Sequence, residues 1–260
     1  MKRPRKLAVV TGASGGLGLE FARLLARDGY DLALVARSQE KLESVARELR
    51  ERHGASVETV VLDLAQADAA GELVRRVPGC DVLVNNAGFA SNGRFDRLDE
   101  SRIEEEVRLD VLTLTMLARK YVPAMIERRD GRMLNVASTA AFLPGPFMAV
   151  YYAAKAYVLS FSQALAEELR GSGVTVTCLC PGATATGFAE RAGTQQTLLF
   201  TLPVADAART AAAGYRGMLR GKLVVVPPSA TNWLVELSSR LTPRRPLLWF
   251  SRKAVEVEGR

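Results

Sequence analysis

From residue 6 to about residue 226, short runs rich in Val, Leu and Ala alternate with longer segments that carry helical apolar stripes. This alternation constrains the fold more than any other feature of the chain. Strands are expected at 7–11, 31–36, 57–62, 81–85, 132–137, 174–180 and 222–226, several of them apolar at consecutive positions. Continuous apolar runs belong to strands covered on both faces. Helices are expected at about 16–28, 39–52, 66–76, 100–129, 150–170 and 204–219. Segment 39–52 carries the signals best: Ser38 can cap it, Glu40 and Glu43 suit its positive N-terminal end, and Leu42, Val45, Ala46 and Leu49 form one stripe. Repeated strand–helix order predicts an α/β fold with a single doubly wound parallel sheet of about seven strands and helices on both faces. Residues 1–228 read as one domain, with no internal repeat or low-complexity linker. Residues 229–260 fall outside the alternation and form a basic, partly amphipathic C-terminal extension.

Composition removes several functional classes. Three cysteines (Cys80, Cys178, Cys180) and one histidine (His53) support neither a disulfide framework nor a Cys/His zinc cage, so no metal site is expected. Cys178 and Cys180 alternate on one strand face and are expected to fill the core. Much of the +7 net charge sits at the ends, in Lys2, Arg3, Arg5 and Lys6 and in Arg240, Arg244, Arg245, Arg252 and Lys253. No basic recognition element lies between them, so nucleic acid is not an expected partner. The uncharged runs 133–154 and 171–189 carry Pro, Gly, Asn, Ser and Thr throughout, and 223–235 is shorter than the ~20 apolar residues a membrane span requires. The apolar stretch Leu7–Val10 is too short for a signal sequence, and a cytoplasmic location is expected.

The first strand runs directly into Thr11-Gly12-Ala13-Ser14-Gly15-Gly16-Leu17-Gly18, after which Phe21, Leu24 and Leu25 begin a helical stripe. Glycines at a strand-to-helix turn let the backbone approach a pyrophosphate, and the helix N-terminus attracts its charge. The spacing Gly-x-x-x-Gly-x-Gly differs from the commoner dinucleotide fingerprint, and a tight βα turn alone would use the same residues. Four further motifs follow in order: Asn85-Asn86-Ala87-Gly88, Ser138, Tyr151-x-x-x-Lys155 and Pro181-Gly182. With this set the sequence resembles the short-chain dehydrogenase/reductase family, in its single-domain form, from residue 6 to roughly 226.

The resemblance implies a Rossmann-like fold and a nicotinamide dinucleotide held by Gly12, Ser14, Gly16, Leu17 and Gly18. It also implies contacts from Asn86, Ala87 and Gly88, from Tyr151 and Lys155, from Asp63 and Leu64 near the adenine, and from Pro181, Gly182, Thr184 and Thr186 near the carboxamide, with Thr186 favoured. Capping of the helix from 66 is a second reading of Asp63. Arg37 follows the second strand, where an acid would accept from the ribose of NAD and an arginine can pair with the 2′-phosphate of NADP. The expected cofactor is therefore NADP (NADPH). The alternative reading of Arg37 is a solvated residue beside a helix cap.

Tyr151 and Lys155 are one helical turn apart and leave the same helix face. A free phenol titrates at roughly 10, too high for efficient proton transfer at neutral pH, and a neighbouring ammonium lowers that value. Ser138 ends a strand at the carboxyl edge, where such sheets bind ligands. The expected reaction is hydride transfer to a carbonyl carbon, with Tyr151 as proton donor and Ser138 polarising the oxygen. By the resemblance, Lys155 acidifies Tyr151 and also holds the nicotinamide ribose. Tyr152 misses the four-residue spacing to Lys155 and is read as a packing or substrate residue.

One position departs from the family pattern, because Asp110 stands where an asparagine completes the tetrad. An ionised Asp110 near Lys155 weakens the lysine's pull on Tyr151, so Asp110→Asn is expected to lower the kinetic pKa of Tyr151.

Substrate choice is expected in residues 89–98, Phe142–Met148 and 183–203. Phe142, Leu143, Phe147, Met148, Phe188, Leu198, Leu199 and Phe200 make that surface apolar, which suits a hydrophobic ketone or aldehyde. In the extension, Trp233, Leu234, Leu237 and Leu241 recur at helical spacing before Pro243-Arg244-Arg245-Pro246 and Leu247–Phe250. Such a segment packs on its own domain or a sister subunit, or lies at a membrane surface. The resemblance implies a homodimer or homotetramer built on helices 100–129 and 150–170. A second functional class is an NADP-binding redox sensor or scaffold without significant turnover.

Overall fold

A computed structural model of the chain describes residues 5–195, 197, 204–229, 232, 235 and 242–256. Lys2, Arg3, Leu198, Leu199, Phe200, Trp233, Leu234, Leu237, Arg240 and Leu241 lie outside the described residues. The strands are β1 (Leu7–Thr11), β2 (Asp31–Ala36), β3 (Val57–Val61), β4 (Val82–Asn85), β5 (Gly131–Val136), β6 (Val174–Leu179) and β7 (Val224–Val225). They form one sheet in the order β3-β2-β1-β4-β5-β6-β7, with every pairing parallel.

Successive side chains of a strand face opposite sides of the sheet, and here both sides are covered. On β1, Ala8 and Val10 pack with Phe21, Leu25, Leu42, Leu49, Tyr215 and Met218. Those residues come from α1 (Gly16–Arg27), α2 (Gln39–His53) and α8 (Ala207–Leu219). Val9, between them, packs on the other face with Leu73, Leu117, Tyr121, Met125 and Leu169. That face is covered by α3 (Ala69–Arg76), α5 (Leu114–Glu127) and α6 (Ala149–Glu168). The doubly wound arrangement is the expected one. Ser38 caps α2 through a long 3.5 Å contact from the Lys41 amide, and Cys178 and Cys180 are fully buried.

Several boundaries differ from the sequence reading. The helix expected from 66 begins at Ala69, because Asp63 Oδ1 accepts from the Ala65 amide (3.0 Å) and its carbonyl accepts from Gln66. The side chain thus holds a turn and does not cap the helix. β7 has two residues where five were expected, pairing only with Cys178 and Leu179 at the sheet edge. The helix expected over 100–129 divides into α4 (Glu100–Val107), a π-helical turn (Arg108–Thr113) and α5. A π-turn adds a residue without breaking the apolar stripe, so periodicity does not reveal it.

Two helices were not expected, α7 (Phe188–Ala192) and α9 (Arg244–Val255). Among the described residues, no helix is long and apolar enough to cross a membrane. Consecutive strands step outward from β1 in both directions, so the crossovers diverge between β1 and β4, and a crevice opens at the strands' carboxyl ends.

Candidate active site

The crevice holds a cavity of about 590 Å³ whose wall runs from the β1–α1 turn to α6 and α9. Gly12, Ser14, Gly16 and Leu17 form its glycine-rich end. Gly12 (φ +67°) and Gly16 (φ +56°) adopt left-handed conformations that side chains disfavour. A Cβ on Gly12 would lie 2.8 Å from Asn86 Nδ2, and one on Gly16 would lie 3.1 Å from Thr186. The first turn of α1 has no side-chain cap and no acidic residue. Its free amides and the helix dipole therefore offer a positive end to an anion in the cavity. Gly18 does not line the cavity. Its Cβ would lie 2.2 Å from the Gly12 carbonyl oxygen, so it serves close packing of α1 against the turn.

Beside this turn, whose Gly12 and Ala13 amides donate to the Val35 carbonyl (2.8 and 3.2 Å), the wall continues through Arg37, Ser38, Lys41, Asp63 and Leu64. Arg37 is exposed and makes no ion pair or side-chain hydrogen bond among the described residues. Arg191, on α7, also lines the cavity; burial and the charge of Arg37 both push its guanidinium down from its ordinary value. Three cations thus line the cavity, and two of them, Arg37 and Arg191, act on each other. Lys41 and Arg191 were missed in the sequence, where nothing local ties them to Arg37.

Asn85, Asn86, Ala87 and Gly88 stitch the sheet as well as bordering the cavity. Asn85 Nδ2 donates to Asn135 Oδ1 on the neighbouring strand (3.0 Å). The Asn86 and Ala87 amides both donate to Thr11 Oγ1 (2.9 and 3.0 Å), and Asn86 Nδ2 donates to the Thr11 carbonyl (2.9 Å). Asn86, Ala87 and Gly88 line the cavity. A Cβ on Gly88 would lie 2.7 Å from Asp110 Oδ1 and 3.2 Å from Lys155 Nζ, so this glycine also makes room for an ion pair.

Ser138, Tyr151 and Lys155 come together on the cavity wall, two of them one turn apart on α6 and the third at the end of β5. Tyr151 is 8% exposed and Lys155 5%. Lys155 Nζ lies 5.4 Å from the Tyr151 ring centroid, pairs with Asp110 Oδ2 at 3.0 Å and donates to the Val136 carbonyl at 3.4 Å. Asp110 is buried behind Lys155 and does not reach the cavity wall.

Burial pushes the Tyr151 phenol above its ordinary value. Lys155 and the neighbouring Ser138 hydroxyl pull it down, while the charges of Asp110 and Glu106 raise it again. Lys155 acts in the expected direction, but desolvation outweighs it. Lys155 itself is held charged by Asp110 and Tyr151 against its own burial. Glu106 was not singled out in the sequence. It precedes Asp110 by four residues, and on a helix that spacing is the signal that could have found it.

At the Ser138 end, Pro181, Gly182, Thr184 and Thr186 also line the cavity, and the Pro181 carbonyl accepts from Ser138 Oγ (3.4 Å). Thr184 Oγ1 donates to the Gly182 carbonyl (2.9 Å), and Thr186 Oγ1 accepts from the Phe188 amide (3.3 Å). Phe89, Leu143, Met148 and Phe188 give this end its apolar lining. Phe142 and Phe147 do not line it: Phe142 packs with Val158 and Cys178 in the core, and Phe147 carries the Arg252 guanidinium 5.3 Å above its ring. From α9, Ser251 and Ala254 complete the wall beside Tyr152. The Ser251 hydroxyl donates to the Pro144 carbonyl (2.7 Å), and the Val255 carbonyl accepts from Asn92 (3.2 Å).

The short chain dehydrogenase family matches the chain over residues 6–197. A short-chain dehydrogenase from Sphingobium yanoikuyae, solved in complex with NADPH, is 34% identical with a TM-score of 0.82, covering 90% of this chain and 93% of that one. The bulky-bulky ketone specific alcohol dehydrogenase from Comamonas testosteroni is 31% identical with a TM-score of 0.78, covering 90% and 92%. The very-long-chain 3-oxoacyl-CoA reductase of Homo sapiens is 33% identical over 189 residues, which are 70% of this chain and 61% of the relative. The match thus spans less than two thirds of that relative's length. A parallel seven-stranded sheet, a glycine-lined crevice and a Tyr-x-x-x-Lys helix on its wall agree with these likenesses, and the chain belongs to the short-chain dehydrogenase family.

Proposed function

We propose that the protein is an NADPH-dependent reductase of apolar ketones or aldehydes. The observation that carries this reading is the placement of Tyr151 and Lys155 on the wall of the cavity that also holds the glycine cradle. The uncapped N-terminus of α1 would hold the pyrophosphate of the cofactor, with Gly12, Ser14, Gly16 and Leu17 around it. Arg37 would pair with the 2′-phosphate, and Asp63 and Leu64 would border the adenine. Asn86, Ala87, Gly88, Pro181, Gly182, Thr184 and Thr186 would flank the nicotinamide half.

When bound, the cofactor supplies a hydride to the carbonyl carbon. Ser138 holds the carbonyl oxygen, and Tyr151 gives that oxygen its proton as negative charge develops there. Lys155 keeps a positive charge beside the phenol, which eases the loss of its proton.

The sequence similarity to enzymes named for bulky ketones and very-long-chain 3-oxoacyl-CoA, together with the Leu143, Met148 and Phe188 lining, supports an apolar substrate. Purified protein given NADPH and a panel of carbonyl compounds is expected to turn over bulky apolar ketones faster than polar sugars. A preference for sugars overturns this part. Arg37→Ala is expected to raise the KM for NADPH about tenfold and leave that for NADH unchanged, since a charge-assisted bond to one phosphate is lost. Equal effects on both cofactors would remove Arg37 from the phosphate site.

Exposed Val107, Leu112, Met116 and Tyr157 on the 100–127 and 149–168 helices favour self-association on those elements as a homodimer or homotetramer. A binding-only sensor draws its support from Asp110, which stands where the family has an asparagine and holds Lys155 at 3.0 Å. Absence of turnover with every carbonyl, alongside tight NADPH binding, would favour it.

A further inference from the structure

Glu106 and Asp110 stand one turn apart where α4 meets the π-turn, so their carboxyl groups leave the same side of the helix. Glu106 is 0% exposed and Asp110 1%. Asp110 pairs with Lys155 at 3.0 Å. Glu106 lies against Ser91, and neither its oxygens nor the Ser91 hydroxyl completes a well-formed hydrogen bond in the structure. The buried ammonium of Lys155 is thus bonded to Asp110, and Glu106, one turn away, acts on it through charge alone. A buried charge persists when it is paired, and Lys155 balances only one.

The groups that act on Glu106 are Ser91, Asp110 and Lys155. Those that act on Asp110 are Lys155 and the Phe89 backbone, and Tyr151 responds to Lys155, Asp110, Ser138 and Glu106. Arg102, one turn before Glu106, stacks 4.1 Å from the Phe89 ring centroid and makes no ion pair with Glu106.

We propose that Glu106 is a positioning residue that carries a proton beside the Asp110–Lys155 pair, and that release of this proton makes Tyr151 a weaker acid. With Glu106 neutral, the three groups sum to zero charge and Lys155 acts on the phenol with only Asp110 opposing it. With Glu106 ionised, a second negative charge opposes Lys155. Burial pushes Glu106 up to about 7, so the change falls in the neutral range. Alcohol oxidation, which needs Tyr151 without its proton, is then held back above neutral pH, whereas reduction, which needs the proton, is not. The kinetic consequence rests on the proposed role of Tyr151.

Glu106→Gln keeps the shape of the side chain and locks it neutral, leaving the Asp110–Lys155 pair in place. It is expected to move the rise of kcat/KM for alcohol oxidation about one pH unit toward acid. Infrared difference spectra of wild type against Glu106→Gln at about pH 6 are expected to show a protonated-carboxyl band that fades as the pH rises. Asp110→Asn should abolish the same band in a comparison with its own Glu106→Gln double variant, because Glu106 then becomes the counterion of Lys155. A missing band in wild type overturns the proposal whatever the activity, and so does an unshifted profile in an active Glu106→Gln enzyme. If no carbonyl or alcohol is turned over, the reductase reading fails, while the band still decides whether Glu106 holds the proton.

Discussion

Tyr151→Phe is expected to lower kcat/KM for carbonyl reduction about 10²–10⁴-fold and to leave NADPH binding intact, the range lost when a positioned general acid is removed. Only the hydroxyl disappears. The ring keeps its edge-on contact with Tyr152 (centroids 6.1 Å apart) and its tilted contact with Phe188 (5.4 Å). Burial holds the Tyr151 phenol above its ordinary value, so the wild-type residue is protonated throughout the neutral range, the state that reduction requires. The proton is nevertheless available during the reaction, because Lys155 favours the phenolate left behind. Steady-state rates with an apolar ketone, read beside a fluorescence titration with NADPH, separate loss of chemistry from loss of binding. A Phe variant with wild-type kcat would remove Tyr151 from the reaction.

Lys155→Met should abolish activity and also destabilise the fold by about 3–5 kcal/mol at neutral pH, the cost of breaking a buried ion pair by removing one partner. The lysine is 5% exposed and Asp110 1%, so solvent does not replace the lost ammonium. Burial already pushes the Asp110 carboxyl above its ordinary value, and loss of Lys155 pushes it further. An acid whose folded pKa exceeds its unfolded value of about 3.9 is a stability liability above that value, because the folded state then retains a proton that the unfolded chain has released. The deficit of the variant is therefore expected to be small near pH 4 and to grow toward neutral pH. Lys155→Met/Asp110→Asn should recover most of the stability without recovering turnover, since two contacting residues are not additive. Urea unfolding of the three proteins across this pH range measures both effects. A pH-independent deficit, or a double variant as unstable as the single one, would contradict the buried-pair account.

Much of this molecule could be read from its residues in order. The Ser38 cap, the glycine turn before α1, the amide run after β4 and the Tyr-x-x-x-Lys spacing are all local, so each reports its own geometry without knowledge of its neighbours. Gly88 was legible as a motif member, yet its steric need, to admit the Asp110–Lys155 pair, depends on three separate segments meeting. Arg191 reaches the Arg37 end of the cavity only because α7 folds across it, and Phe142 turns into the core although its neighbour Leu143 lines the cavity. The extension contributes Ser251 and Ala254 to the wall through α9, a contact that its own arginines and tryptophan do not foretell.

The order of apolar strands and helical stripes determined a parallel sheet covered on both faces, because side-chain periodicity is a property of the chain itself. The charge state around Tyr151 was decided by tertiary structure alone. Where α4 meets the π-turn, Glu106 and Asp110 are buried one turn apart with Asp110 against Lys155, and desolvation exists only once distant segments have closed over the group they bury.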